Sequence, residues 1–273
     1  TAVTVGQTAA LTVNRVLADG TVSGSTQTDA LQNNIISAGN LVLVTVAGSV
    51  DTLTSGAINA AGNLLVSAGG ANSDLTLGGT VSDTAGHTSL VAARDINQNA
   101  NVTSTSSAST IEMIAGGAIN MGATTTIATN NGNILLNAGS NVTVQTITAG
   151  TASVAITAGS GNIADGNGAS ANISAGDLVL KAGNGIASGS DALETSISRV
   201  SANAGAGGAY LAQSGAVSVD KLTVSVNHVG TDASVPGSAS GTATITQEDL
   251  SATGAGNLVL VATGNITLNA GTA

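Results

Sequence analysis

The chain has 273 residues, five Lys and Arg against fifteen Asp and Glu for a net charge of −10, and no cysteine. A disulfide scaffold and a thiolate metal site are therefore excluded, and basic residues scattered over Arg15, Arg94, Lys181, Arg199 and Lys221 build no phosphate-tracking groove. No run reaches the roughly 18 consecutive apolar residues of a spanning helix, so neither nucleic acid nor membrane insertion is expected.

Residues 1–35 are expected to be an irregular opening segment, with Val3, Val5, Leu11, Val13, Val16 and Leu17 on short strands around Ala18-Asp19-Gly20. Residues 36–183 repeat one unit. Ala38 to Val44 reads AGNLVLV, followed by the degraded copies GNLLVSAG (Gly62 to Gly69), GNILLNAG (Gly132 to Gly139) and GDLVLKAG (Gly176 to Gly183). Gly39 to Gly62 is 23 residues, Gly62 to Gly86 is 24, and Gly86 to Gly132 is 46, twice 23, with the intermediate copy at Ser109-Thr110-Ile111. Each unit adds a second apolar motif such as Gly117-Ala118-Ile119-Asn120 or Asn141-Val142-Thr143-Val144. Two or three strands in such a period predict one coil of a β-solenoid per repeat. Residues 184–250 are expected to be coils with two projecting excursions, Ala187 to Gly208 and Asn227 to Thr242, the second holding His228, Asp232 and Pro236. Residues 251–273 return to regular coils, with AGNLVLV again at Ala255 to Val261 and then Ile266-Thr267-Leu268.

Alternation along each strand predicts which side chains fill the interior. Leu41, Leu43 and Thr45 share one face, as do Val154, Ile156 and Ala158; Leu178, Leu180 and Ala182; and Leu258, Leu260 and Ala262, with Ile266 and Leu268 facing inward from the next wall. Outward positions hold Thr, Ser, Asn, Lys and also Val, consistent with strands that are partly covered or simply apolar outside. A helical reading fails, because 37 glycines and frequent Thr, Val, Ser and Asn leave no clean 3.6-residue pattern. The chain lacks Phe and Trp and has one Tyr, Tyr210, which suits a narrow lumen filled by aliphatics. At about 22 residues a coil and about 4.8 Å a step, the expectation is on the order of 12 coils in a rod of roughly 58 Å. Asparagines at the corners are expected to hydrogen-bond along the stack and not to serve as ligands. Residues 1–14 and 250–273 carry no charge. Both ends therefore read as uncapped, with further coils of a parent chain or copies of this one as partners.

No catalytic, cofactor-binding or metal-binding residue is assigned, and the chain is not expected to be an enzyme. Its carboxylates show no pairing in spacing, and sugar-stacking aromatics are nearly absent. Asp165-Gly166-Asn167-Gly168 resembles a calcium loop but lacks ligands at the fifth position (Ala169) and the twelfth (Gly176), so it reads as a turn. His87 and His228 read as solitary exposed loop residues. The sequons at Asn101, Asn141, Asn172 and Asn265 follow from a turn asparagine before a Thr- or Ser-bearing strand. The Thr pairs 52/54, 103/105, 124/126 and 146/148 lie near coil multiples and could align into an ice-binding row.

The repeats, Gly-Asn-Leu-x-Leu-x-Ala-Gly followed by Gly/Asn-Ile-x, resemble those of filamentous-haemagglutinin-type exoproteins and related large bacterial surface adhesins. The resemblance covers most of the chain as a repeat style. It implies an all-β, right-handed parallel β-helix forming a single elongated rod, export across a bacterial envelope, and an extracellular role as shaft or fibre segment. A host-cell or surface receptor or glycan is a further implied partner. The alternatives are a self-assembling structural filament or sheath and an ice-binding solenoid. The chain lacks that family's amino-terminal secretion domain and any recognisable carboxy-terminal module.

Overall fold

The computed structural model describes residues 3–5, 10–28, 34–235 and 242–269, and Pro236 lies outside them. The described residues are all-β, with parallel strands stacked into a β-solenoid. Each regular coil contributes one strand to each of three walls. Wall 3 runs from Leu41–Thr45 through Leu64–Ala68, Thr88–Ala92, Ile111–Ala115, Ile134–Ala138, Ser153–Ala158, Asp177–Ala182 and Arg199–Ala204 to Val217–Val219 and Ile266–Leu268. Ten strands make nine steps, so at about 4.8 Å each the ladder is roughly 43 Å long. The stack is shorter than the sequence arithmetic suggests because two antiparallel hairpins, Ala10–Val16 with Val22–Thr28 and Leu222–Asn227 with Thr242–Gln247, consume chain without adding a coil.

Register holds the stack. Ile111 lies over Thr88 and under Ile134, Met113 over Leu90 and under Leu136, and Ala115 over Ala92 and under Ala138. Most inward positions thus seat an aliphatic or small side chain on its counterpart, and Ile134, Leu136, Val154, Ile156, Leu178 and Leu180 are fully buried. The inward phase expected for Leu41, Val154, Leu178 and their alternates is the one observed. Corners are tight: a Cβ on Gly132 would lie 1.7 Å from the Ser109 carbonyl oxygen of the coil beneath, so only glycine fits there. One lumen position is ionisable. Asp83 is fully buried and accepts from Thr88 Oγ1 at 2.8 Å, Ser104 Oγ at 3.0 Å and Gly86 N at 3.2 Å, so the carboxyl is solvated by the wall itself.

Two departures from the regular coil matter below. Walls 1 and 2 meet at a corner in most coils, as at Gln145 between Val142–Val144 and Thr146–Thr148. Near the carboxy-terminal end they fuse, because the single strand Gly208–Gln213 pairs both with Gly185–Ile186 and with Leu193–Ser196 beneath it. Leu258–Ala262 then stacks on that flat wall. The excursion after residue 186 is correspondingly small: only residues 187–192 leave the wall, and Arg199–Ala204 belongs to wall 3. In the opening segment the described residues form strands on either side of Ala18-Asp19-Gly20. Val3–Val5 pairs in wall 1 with Val50–Thr52, and a hairpin turns at Asp19, whose Oδ1 accepts from Thr21 N at 3.0 Å.

The lumen sets stability. Leu136→Ala should lower the unfolding free energy by about 2–5 kcal/mol, whereas the neighbouring outward Asn137→Ala should stay within about 0.5 kcal/mol; chemical denaturation of the two variants checks the contrast.

Candidate functional site

The second hairpin does not project. Val217–Val219 and Leu250–Ala252 both pair with the same strand, Arg199–Ala204, so the hairpin between them is an insertion into one strand of wall 3. It folds back along the rod over the outside of that wall. The outward column Leu65, Ser89, Glu112, Leu135, Ala155, Val179 and Ser201 runs up the wall in unbroken register. All seven are buried, while Val42 one coil below is exposed. Leu222, Val224 and Val226, with Ala243 and Ile245 from the return strand, close a small second core on Leu135, Ala155 and Val179. The other face of the hairpin carries the cross-strand pairs Thr223–Thr246 at 3.0 Å and Ser225–Thr244 at 2.9 Å.

Polar contacts fasten the tip. The corner before each wall 3 strand holds Asn40, Asn63, His87, Thr110 and Asn133 in succession. Asn63 N–H donates to Asn40 Oδ1 at 2.9 Å, His87 N–H to Asn63 Oδ1 at 3.0 Å, and Thr110 N–H to His87 Nδ1 at 3.0 Å. His87 is therefore a member of the asparagine ladder, its unprotonated Nδ1 replacing an amide oxygen. The column also reaches outward: Asn133 Nδ2 donates to Ser225 O at 2.9 Å and Asn63 Nδ2 to Ala233 O at 3.0 Å. Asn227 N–H donates to Thr110 Oγ1 at 3.0 Å, and Val229 N–H to Ser89 Oγ at 2.9 Å. His228 Nδ1 lies 2.6 Å from Oε2 of Glu112, which Ser89 Oγ also reaches at 3.0 Å.

Both histidines, expected as solitary exposed loop residues, thus sit together at this junction, and Glu112 joins them without having been singled out from sequence. Two sequence features fit a covered wall, the aliphatics at the outward positions Leu65, Leu135 and Val179 and the alternation of Leu222-Thr223-Val224-Ser225-Val226, but neither says which segment covers which wall. Among the described residues no group of three or more His, Asp or Glu is placed to hold a metal. The junction is a clasp held by side-chain hydrogen bonds and a small apolar core.

The remaining sequence candidates resolve as follows. Asp165 Oδ1 accepts from Asn167 N at 2.9 Å and from Asn172 Nδ2 at 2.6 Å, which makes the calcium-like stretch an Asx turn. Asn101 and Asn141 accept from Thr126 N at 2.9 Å and Asn162 N at 2.8 Å, and Asn172 is buried. These sequon asparagines are ladder residues. The threonines do not form one row: Thr52 faces the lumen, and Ala128 separates Thr103 from Thr148. Among the described residues no helix is long and apolar enough to cross a membrane. Comparison of the chain with protein-family models, curated proteins and solved structures finds no match. The fold and clasp define the class: a three-walled β-solenoid strapped along one wall by its own hairpin.

Burial holds the His87 imidazole below the ordinary histidine value of 6.5, with the Asp83 carboxylate opposing the shift. Unfolding therefore takes up a proton below that value, so this contribution to stability is complete above pH 6.5 and is lost as pH falls through the folded pKa. Asp83, pushed above its usual 3.8 by burial, acts in the opposite sense, its contribution fading as pH rises through its own folded pKa. The difference between wild type and His87→Asn isolates the histidine, because asparagine keeps an acceptor in the ladder. Thermal melts at about pH 7.5 and 5.5, either side of the ordinary histidine pKa, should show a larger fall for wild type than for the variant.

Proposed function

We propose that the chain is a non-enzymatic shaft segment of a bacterial surface or secreted adhesin of the filamentous-haemagglutinin type, working outside the cell. Its mechanism is mechanical. Continuous backbone ladders make a stiff rod whose length follows the number of coils, and low charge with small side chains allows regular stacking.

The observation that carries this reading is the open carboxy-terminal coil. Leu258, Ile266 and Leu268 occupy inward register positions, yet Leu258 is 45 % and Leu268 75 % exposed. They border a depression of about 380 Å³ lined by Val219, Leu250, Leu258 and Leu268 together with Asp249 and Asn269. Its rim is the edge of Leu258–Ala262 and Ile266–Leu268 that pairs with no other strand among the described residues. Such an edge is a template for another parallel strand, and the exposed leucines offer the apolar seat that a further coil would cover. The amino-terminal coil differs, since Leu41 there is 7 % exposed.

The same edge favours a second reading, a filament subunit that stacks end to end. A receptor or glycan partner would meet the shaft at a loop, and residues 187–192 and, one coil beneath, 166–172 are such connections beside the flat wall. Light scattering against concentration tests the open end. Wild type should associate, and Leu258→Arg/Leu268→Arg should shift it towards monomer; a wild-type monomer at every concentration, unchanged by the variant, would remove the end from consideration.

A further inference from the structure

The amino-terminal hairpin repeats the clasp hairpin. Leu11-Thr12-Val13 matches Leu222-Thr223-Val224, and Thr26-Gln27 matches Thr246-Gln247 on the return strand. The pairings match as well: Leu11 opposes Gln27 and Thr12 opposes Thr26, as Leu222 opposes Gln247 and Thr223 opposes Thr246. Even the cross-strand hydroxyl bond recurs, at 2.9 Å between Thr12 and Thr26. In the clasp, the face bearing Leu222, Val224 and Val226 lies on a wall. In the first hairpin the corresponding face bears Leu11, Val13 and Arg15, and every residue from 11 to 27 is exposed, Leu11 at 67 % and Val13 at 57 %. A two-stranded hairpin alone in water is marginal, so this face lacks the wall its twin has.

The topology says where such a wall lies. The first hairpin leaves the coil between Val3–Val5 of wall 1 and Asn34–Ser37 of wall 2, the position at which these walls fuse at the other end of the rod. The outer face of the fused wall carries Val259 over Tyr210 and Val261 over Ala212, which in turn lies over Glu194. Val261 is 62 % exposed. Descending from the open end, the surface is apolar, apolar, then acidic, and the hairpin from base to tip reads Leu11, Val13, Arg15. The acidic step is a group of three: Asp165 raises the pKa of Asp191 by repulsion, and burial followed by the same carboxylate raises that of Glu194. Arg15 has no ion pair among the described residues, whereas Arg94, Arg199 and Lys221 have theirs.

We propose that a second copy of this chain stacks head to tail on the open coil and lays its amino-terminal hairpin along the fused wall, Leu11 and Val13 on Val259, Val261 and Ala212, with Arg15 among Asp165, Asp191 and Glu194. The inference rests on the open-ended reading of the last coil and adds the device that fastens the joint. Each joint between copies repeats the arrangement that the clasp makes within one copy.

The absence of cysteine makes the test clean. Val13→Cys and Val261→Cys in one chain lie at opposite ends of the rod, so a disulfide between them joins two copies. Mild oxidation of the double variant should give a ladder of linked oligomers on a non-reducing gel, and a control with Val13→Cys and Lys181→Cys should give at most symmetric dimers. Arg15→Glu added to the double variant should reduce the ladder at least tenfold, and Glu194→Arg added to that should restore part of it. Association by light scattering without a disulfide ladder would overturn the hairpin placement while leaving end stacking intact. A dilution-independent monomer would overturn both.

Discussion

Everything in this molecule depends on the parallel register between one coil and the next. A backbone N–H in one turn meets a carbonyl about 23 residues away in a neighbouring turn: Ile111 N donates to Asn133 O at 3.1 Å in the next coil, and Gly139 N donates to Ala115 O at 2.9 Å in the coil beneath. That single offset places Met113 over Leu90, stacks the corner asparagines, and aligns an outward column that would be meaningless in an isolated coil. A shift of one residue would turn Ile134, Leu136 and Ala138 to solvent and Leu135 and Asn137 into the lumen. Corner glycines such as Gly132 guard against such slippage, because the coil beneath leaves no room for a Cβ.

The corner column shows how one ladder serves two purposes. Asn63 and Asn133 use their side-chain oxygens to accept from the coil above and their amide nitrogens to hold the hairpin. His87 does the first job with Nδ1 and presents the rest of its ring to Asn227. Internal stacking and external strapping are therefore coupled through the same residues. Glu112 belongs to the same logic: on an uncovered wall it would be an ordinary surface carboxylate, and only the hairpin makes it a buried partner for His228.

Much of this was legible in the sequence. The β-solenoid, the inward phase and the ladder role of the asparagines follow from AGNLVLV and its copies, because nearest-neighbour stacking turns local periodicity into three-dimensional register. The clasp was not legible, since Asn227 and Thr110 are 117 residues apart and no period links them. The polar segment around His228 and Asp232 looks like any tolerated loop until the wall it covers is known. Likewise, Asp83 in the lumen has its partners at Ser104, one coil later, and at Thr88 on the adjoining wall, so its solvation is visible only in the assembled stack.

The insertion point of the clasp has a consequence for the order in which the rod is completed. Its landing column is contributed by seven successive strands, from Leu64–Ala68 to Arg199–Ala204, and no part of that surface exists before those turns have wound. The segment made late in synthesis is the one that reaches back to the beginning, touching Asn63 and Asn40 with its far end. Docking therefore reports that the winding was faultless: a skipped or misthreaded turn anywhere along the wall would leave Val224 without its seat and His228 without its acid. In this sense the hairpin acts as a gauge as well as a strap, reading the finished length of the coil by fitting it.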